Sequence, residues 1–134
     1  MERRLSLRVV MMPRDTNHYG TIFGGVILSY IDQAGLVEAL EHGRTKWVTV
    51  AMDRVEFKEP VHVGDVVNFH TRAERLGRTS ITVRVEVEAE RREGGALVPV
   101  TAASITMVSV GPDERPVPFR VNDPGPRPPE PARP

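Results

Sequence analysis

The first candidate for chemistry in this sequence is an aspartate inside an apolar, helix-like segment. Asp32 lies in the run Ser29–Gly35, between Ile31 and Gln33. Aspartate is a poor residue for a helix interior and is rarely buried without a partner. Such a carboxylate could act as a general base or as a nucleophile. The alternative is that Asp32 lies on a narrow polar stripe with Ser29 and Gln33 and is merely solvated; the pattern leaves both interpretations open.

A pair of glycines, Gly24 and Gly25, opens the same segment. Glycines at a helix start let another group approach the N–H donors of the first turn, which have no partner inside the helix. Those donors and the helix dipole suit a developing oxyanion. Taken alone, the pair favours a simpler interpretation, in which glycine is needed because a helix and a strand pack closely.

Three further polar positions have weaker signals. Asp15 and Asn17 are typical turn residues, although the Asn17 amide could instead contact a carbonyl or a water. Arg78 and its neighbours in Gly77–Ser80 combine a guanidinium, two hydroxyls and a turn glycine, which could bind phosphate. A solvated hairpin is the commoner explanation for that segment. Lys58, just before Pro60, has the same ambiguity.

Composition excludes several other chemistries. The chain has no cysteine, and its four histidines, at positions 18, 42, 62 and 70, lack metal-ligand spacing, so we predict no metal site. Lys plus Arg and Asp plus Glu both number 18, and this balance argues against nucleic acid as a partner. No apolar run approaches the ~20 residues of a membrane span, so we expect no membrane association and a cytoplasmic location. A GxSxG elbow and a phosphate-binding glycine loop are also missing.

Hydrophobic periodicity predicts the elements that must position these residues. A short strand is expected at Leu5–Met11, and apolar residues at spacings of three and four predict a helix that begins near Gly24 and ends at Gly43. Because that helix is apolar nearly all round, we expect it to be buried. From Lys46 the period changes to two, which predicts four strands, at Lys46–Phe57, Val66–Leu76, Thr79–Arg91 and Leu97–Val110.

This order of elements predicts an α+β fold. Short connections imply antiparallel pairing among the last four strands, and a curved antiparallel sheet wrapped around one long central helix would bury that helix. The strands that start at Thr79 and Leu97 are expected to lack cover and to favour pairing with a second copy. We assign residues 1–111 to this domain. Residues 112–134 contain nine of the twelve prolines and are predicted to have no regular structure and no place in the core.

Taken together, several segments resemble one known family. Asp15–Gly25, with Asp32 eight residues after Gly24, is similar to the motif of the hotdog-fold acyl-CoA thioesterases of the bacterial short- and medium-chain hydrolase type, which resemble the brain cytosolic acyl-CoA hydrolase. Later matching segments are 49–53, 57–61, 63–67 and 77–80, so the resemblance covers about residues 5 to 110. The combination is specific, whereas no single piece is.

The resemblance implies an enzyme that hydrolyses fatty acyl-CoA to fatty acid and CoA. It implies homodimers with a continuous sheet, often as trimers of dimers, with active sites at the dimer interface. The catalytic carboxylate maps onto Asp32, as general base or nucleophile, the N–H that polarises the thioester carbonyl onto Gly24, and a loop asparagine onto Asn17. In the family, the asparagine and the aspartate of one site come from different subunits.

The same resemblance implies where the acyl-CoA substrate lies. Contacts are expected from Phe23 and Gly25 at the helix start and, toward the CoA phosphates, from Lys58, Arg78, Thr79 and Ser80. No cofactor is expected, since coenzyme A is part of the substrate and product. Two alternatives stay open: a hotdog hydratase or dehydratase, which would need a histidine–carboxylate pair, and a non-catalytic acyl-CoA-binding module. Release of free CoA would separate all three.

Overall fold

One long helix and five strands make up the fold, and the computed structural model of the chain describes residues 2–120. The predicted helix and the five predicted strands are confirmed to within a few residues. A short 3-10 helix, Pro13–Asp15, follows the first strand. The main elements are β1 (Arg4–Val10), α1 (Gly24–Leu40), β2 (Lys46–Phe57), β3 (Val66–Leu76), β4 (Ser80–Glu90) and β5 (Leu97–Val110).

The five strands form one antiparallel sheet in the order β1-β3-β4-β5-β2. The predicted pairing of sequential strands is therefore confirmed for β3, β4 and β5 but is wrong for β2, which pairs with β5 instead of β3. The connection 58–65 is long enough to carry the chain across the sheet, as a tight hairpin would not be. The open edges are β1 and β2. The prediction that the strands starting at Thr79 and Leu97 lack cover is wrong, because β4 and β5 are interior strands.

The helix packs on the face of the sheet that alternation makes apolar. On β4 the side chains from Ile81 to Ala89 alternate between the core and the outer face, with every second residue fully or almost fully buried. Ile27, Ile31 and Ala34 bury the facing side of α1. At Gly35 an added Cβ would lie 3.0 Å from Ile105 Cδ1, so glycine permits this close approach. The α+β hotdog arrangement, with its antiparallel sheet around one helix, is thus confirmed.

The opposite side of α1 is open in the single protomer. Gly25, Ser29, Gln33 and Leu36 form an exposed stripe along it, and Asp32 borders this stripe, partly buried. The expectation that the helix is buried all round is therefore wrong for one protomer. A five-stranded sheet has only one concave face, and it covers only the helix side turned toward it.

The segment that follows β5 belongs partly to the core. Its backbone turns back at Gly111, whose N–H donates to the carbonyl of Arg115 at 2.9 Å. Phe119 is only 2% exposed, and its ring centroid lies 4.9 Å from that of Trp47. The prediction that nothing after residue 111 belongs to the core is wrong at Phe119, because an apolar residue close after a turn can still reach the open end of the core. The division of the chain at residue 111 stays a prediction, and residues 121–134 of the predicted tail lie outside the described residues.

Candidate active site

The start of α1 is held by a loop that folds back on the chain before it. The Phe23 N–H donates to the Asp15 carbonyl at 3.0 Å, and the Ile22 N–H donates to the Val61 carbonyl at 2.9 Å. The second bond ties the helix start to the β2–β3 connection. These backbone bonds place the first turn of α1 beside the end of β2.

Two amide donors at this helix start are open. The N–H groups of Val26 and Ile27 both donate to the Phe23 carbonyl, at 3.0 and 3.4 Å. The N–H groups of Gly24 and Gly25 donate to no acceptor within residues 2–120. A Cβ at Gly25 would meet nothing within 4 Å. Two donors at the positive end of a helix dipole can therefore receive a developing negative charge.

A cavity of about 320 Å³ lies beside these donors. Its inner wall is buried and largely apolar, and its mouth is formed by the exposed residues 58–60. Gly24 and Lys58, both predicted site residues, line it together. The Phe57 ring lies over the helix start, 3.5 Å from where a Cβ of Gly24 would be. The remaining lining residues are Ile22, Ile27, Glu59, Pro60, Val61 and Thr101.

Asp32 makes a hydrogen bond across to the edge strand. Its Oδ1 atom accepts from the Thr49 hydroxyl at 2.6 Å, and its other carboxylate oxygen accepts no bond from residues 2–120. Asp32 is partly buried, so it is neither enclosed in the core nor simply solvated. A carboxylate oriented by one donor, with one oxygen available, suits the activation of water or attack on a carbonyl.

One protomer does not bring Asp32 and Gly24 to one reacting atom. Eight residues separate them on α1, which corresponds to roughly 12 Å along the axis. A thioester carbonyl bound at the Gly24 N–H could not be reached by the Asp32 of the same helix. The two groups can serve one substrate only if they come from two protomers.

Asn17 has its side chain engaged within its own loop. Its Oδ1 atom accepts from the N–H groups of Tyr19 at 2.8 Å and Thr21 at 3.2 Å, and its Nδ2 donates to the Thr21 hydroxyl at 3.0 Å. This is the side-chain turn that the residue type predicts. Asp15 likewise accepts from the Met12 N–H at 2.9 Å. A catalytic role for Asn17 stays a prediction.

The predicted phosphate-binding turn lies far from the helix start. Ser80 pairs with Val108 near one end of β5, whereas Phe57, over the helix start, pairs with Thr101 near the other end. Those seven steps along β5 correspond to roughly 23 Å. Arg78 and its turn are therefore not brought together with Gly24 and Lys58 in one protomer. Phe23 is exposed beside the helix start, as a substrate-contacting residue would be.

Sequence reasoning missed Thr49 and a buried charge on the helix. Thr49 fits the period-two pattern between Val48 and Val50, and that pattern gives no sign that its hydroxyl bonds to α1. Glu38 is 1% exposed and accepts bonds from Arg4 Nε and the Thr71 hydroxyl, both at 2.8 Å, while His42 Nε2 lies 2.8 Å from its other oxygen. Burial alone would raise the pKa of Glu38, but the bonds from His42, Thr71 and Arg4 outweigh it and lower that pKa.

The described part of the chain contains neither a metal-binding cluster nor a membrane-spanning helix. Within residues 2–120, no group of three or more His, Cys, Asp or Glu side chains could hold a metal ion. No helix described there is long and apolar enough to cross a membrane. The predicted lack of a metal and of a cofactor stays a prediction.

Comparison with known proteins identifies the family. The model of the thioesterase superfamily matches residues 19–96. An acyl-CoA thioester hydrolase, YciA, of Salmonella typhimurium is 38% identical over 120 residues, which cover 87% of this chain and 90% of that protein. A hexameric hotdog-fold thioesterase of Campylobacter jejuni is 44% identical, with a TM-score of 0.81 and coverage of 86% of this chain and 89% of the other.

A second solved structure has an even higher structural similarity. It is an aspartate-to-alanine mutant of a hexameric broad-specificity acyl-coenzyme A thioesterase, with a TM-score of 0.85 and 36% identity, covering 90% of this chain and 88% of the other. The hotdog fold, the family match and the acyl-CoA thioester hydrolases among its relatives identify a thioester-hydrolysing enzyme. The chain belongs to the thioesterase superfamily.

Proposed function

We propose that this thioesterase hydrolyses fatty acyl-CoA to a free fatty acid and CoA. The observation that carries the proposal is the pair of open N–H donors at Gly24 and Gly25, beside a largely apolar cavity with Lys58 at its mouth. An acyl thioester has the matching parts, namely a carbonyl for the donors, an apolar chain and an anionic CoA portion. The acyl-CoA hydrolases among its relatives and structural neighbours support this substrate class.

The proposed chemistry begins with the carbonyl oxygen at the Gly24 and Gly25 N–H groups. Removing one such donor in comparable sites costs roughly a hundred- to a thousandfold in rate. Asp32, oriented by Thr49, takes a proton from water as the water oxygen attacks the carbonyl carbon, or it attacks that carbon itself. In the first route the C–S bond breaks as Asp32 passes the proton to the leaving sulfur, and the fatty acid and the CoA thiol are released. In the second route the C–S bond breaks to give the CoA thiolate and an acyl–Asp32 anhydride. Water then hydrolyses the anhydride, which releases the fatty acid and restores the Asp32 carboxylate, and the acid proton so formed converts the thiolate to the thiol. The aspartate-to-alanine mutant among the neighbours supports a role for an aspartate.

We further propose that each active site is shared in a homodimer. The exposed stripe of α1 borders Asp32, which bonds to Thr49 on the edge strand β2, so the stripe and that edge are neighbours, and neither has a partner within residues 2–120. Two-fold pairing there would run the two helices in opposite directions, so that Asp32 of one protomer approaches Gly24 of its partner. Hexameric neighbours support assembly beyond a dimer, and we propose a trimer of dimers.

The same antiparallel pairing accounts for the distant phosphate-binding turn. Pairing β2 with its copy would set the Lys46 end of one strand beside the Phe57 end of the other. The partner's Arg78, Thr79 and Ser80 would then approach the cavity mouth, where Lys58 lies. We propose that these four residues contact the phosphates of CoA, that no cofactor or metal is needed, and that the enzyme works in the cytoplasm, which fits a chain without cysteine.

A thiol-trapping assay tests the proposal. Wild-type protein is incubated with acyl-CoA of several chain lengths in the presence of a chelator, and released CoA is followed with a thiol reagent. We expect CoA release without added metal, and a kcat at least about a hundredfold lower in Asp32→Asn, which stays folded. Activity that disappears with chelator and returns with a divalent ion would contradict the mechanism. A hydratase would consume enoyl-CoA without releasing CoA, and a binding module would bind acyl-CoA without turnover.

A further inference from the structure

Thr101 is a largely buried residue whose hydroxyl makes no hydrogen bond within residues 2–120. The residue is 4% exposed. The other buried polar residues in that part of the chain all have bonded side chains. The buried hydroxyls of Thr71, Ser104 and Ser109, for example, bond to Glu38, Glu74 and Thr45. Unlike these, the Thr101 hydroxyl oxygen is not enclosed by the fold, so a group that enters from solvent can bond to it.

The position of Thr101 on β5 places it at the cavity beside the start of α1. On β5 it pairs with Phe57 of β2 and Val87 of β4, and alternation places it on the helix-facing side with Ala103 and Ile105. Thr101 lines the same cavity as Gly24 and Phe57. An unpartnered hydroxyl therefore lies in a cavity that already has open N–H donors at one side.

The other groups of the proposed reaction leave Thr101 unassigned. The thioester carbonyl oxygen has the N–H groups of Gly24 and Gly25, and the attacking water has Asp32. The inner wall around Thr101, formed by Ile22, Ile27 and Val61, is apolar. A polar group of the substrate that enters this wall would find the Thr101 hydroxyl as its hydrogen-bond partner.

We propose that Thr101 is a substrate-binding residue whose hydroxyl bonds a polar group of the acyl thioester other than its carbonyl. Two parts of an acyl-CoA supply that chemistry near the thioester: an oxygen substituent on the acyl chain and the nearest amide of the CoA arm. Both are hydrogen-bonding groups that would otherwise be buried without a partner in this cavity. The inference rests on the proposed function, because it assigns a further contact within the same site.

Two substitutions isolate the hydroxyl. Thr101→Val replaces it with a methyl group, and Thr101→Ser keeps it. Because the hydroxyl makes no bond within the fold, Thr101→Val should not lower the thermal unfolding midpoint. A purely structural role would lower that midpoint instead. Thr106→Val, on the same strand but paired with Thr82 and facing away from the helix, is the matched control.

The test compares butanoyl-CoA with 3-hydroxybutanoyl-CoA. We expect Thr101→Val to lower kcat/KM by about three- to tenfold, the effect of one hydrogen bond, while Thr101→Ser and Thr106→Val stay near wild type. A larger loss with the hydroxylated substrate would assign the contact to the acyl oxygen, and an equal rise in KM with both would assign it to the CoA-arm amide. An unchanged kcat/KM with both substrates would overturn the proposal.

A binding measurement keeps this result separate from the proposed function. A non-hydrolysable thioether analogue of butanoyl-CoA and its hydroxylated counterpart are titrated into each variant by calorimetry. Weaker binding to Thr101→Val than to Thr106→Val supports the contact even if the wild type releases no CoA. Wild-type protein that binds the analogues but hydrolyses neither ester would contradict the hydrolase proposal alone. Equal affinities of Thr101→Val and wild type for both analogues would overturn the assignment of Thr101.

Discussion

At the proposed active site, a few polar groups have no hydrogen-bond partner within residues 2–120, whereas their neighbours in the same helix turn are bonded. The amides of Val26 and Ile27 share the Phe23 carbonyl, whereas those of Gly24 and Gly25 have no acceptor in the described chain. Donors that are fixed before substrate arrives need no reorganisation when charge develops on a carbonyl oxygen. Asp32 follows the same principle, since Thr49 fixes one oxygen and leaves the other available.

Thr49 is expected to act on the reaction through Asp32. Thr49→Val removes the 2.6 Å bond that orients the carboxylate, and we expect kcat to fall about ten- to hundredfold with little change in KM, since a hydrogen bond to a charged group is lost. Thr49→Ser keeps the hydroxyl and should recover most of the activity. Steady-state kinetics on one acyl-CoA checks both variants. A Val variant with wild-type kcat would show that Asp32 needs no such orientation.

Arg78 is expected to affect substrate binding instead of the chemical step. Its exposed guanidinium at the β3–β4 turn is a candidate for a CoA phosphate, and charge-assisted contacts of this kind are strong. Arg78→Ala should therefore raise KM for acyl-CoA more than it lowers kcat. Arg75→Ala, an exposed arginine three residues earlier, is the control. If the Arg78 variant and the control have the same KM as wild type, the phosphate lies elsewhere.

Single residues could be predicted as site candidates only where the pattern that marks them lies in neighbouring positions of the sequence. Asp32 and Gly24 could be proposed from the sequence because a charge inside an apolar helix and a glycine pair at its start are local patterns. Thr49 and Thr101 could not be proposed from the sequence, because the contact of Thr49 with α1 and the position of Thr101 in a cavity exist only in the folded sheet. Asn17 was ambiguous in sequence, and its bonds now satisfy the turn interpretation.

At the level of elements, the two ends of α1 differ in how their polar groups are bonded. Its first turn presents the open donors, and its last turns bury Glu38 against the edge strand β1 through Arg4 and against β3 through Thr71. Carboxylates buried with several donors are costly to disrupt, because the donors lose their acceptor together. This cluster fixes how α1 lies in the sheet, and with it the direction in which the helix start faces.

Glu38→Gln should lower the free energy of unfolding by about 1–3 kcal/mol at neutral pH, because the charged acceptor of Arg4 and Thr71 is lost. The pKa of Glu38 is lowered from its ordinary 4.5 in the folded protein. Its contribution is therefore complete above about that pH and is lost as the pH falls through the folded-state value. Urea unfolding of both proteins from pH 7 downward should show their difference shrinking below pH 4.5. A difference that is constant with pH would mean that the Glu38 charge does not contribute.

Element boundaries were predictable from sequence, whereas their arrangement was predictable only in part. Period-two and period-3.6 patterns are local, and they located all five strands and α1. Which strands become neighbours depends on where a connection leads, and the segment 58–65 carries the chain across to β3 although β2 pairs with β5. Phe119 shows the same limit, because a proline-rich stretch gives no local signal that one ring reaches the core beside Trp47.

At the scale of the whole molecule, an unpaired sheet edge and an exposed helix stripe lie side by side on the protomer surface. β2 is an open edge strand with three exposed large apolar side chains, Val50, Val55 and Phe57, and the uncovered stripe of α1 lies beside it. Unpaired edges with apolar side chains are normally covered in native proteins, and in the proposed dimer a second copy related by a two-fold axis would cover both features at once. The separation of roughly 12 Å between Asp32 and Gly24 along one helix is a second argument for the proposed dimer, in which the two groups of one site come from different protomers.

A mixing experiment tests whether one active site needs two protomers. Asn17→Ala and Asp32→Asn proteins, each of which we expect to be inactive alone, are unfolded together and refolded. If each site combines the Asn17 loop and helix start of one protomer with Asp32 of the other, a hybrid dimer has one doubly damaged site and one intact site. Random pairing makes half of the dimers hybrids, so about a quarter of wild-type activity should return, an estimate that follows from the two-fold symmetry.

Asp32→Asn refolded with Asp32→Ala is the control and should recover nothing. If hybrids form, as shown by mass spectrometry of the mixed dimers, and no activity returns, then the residues act within one chain or Asn17 serves only its turn.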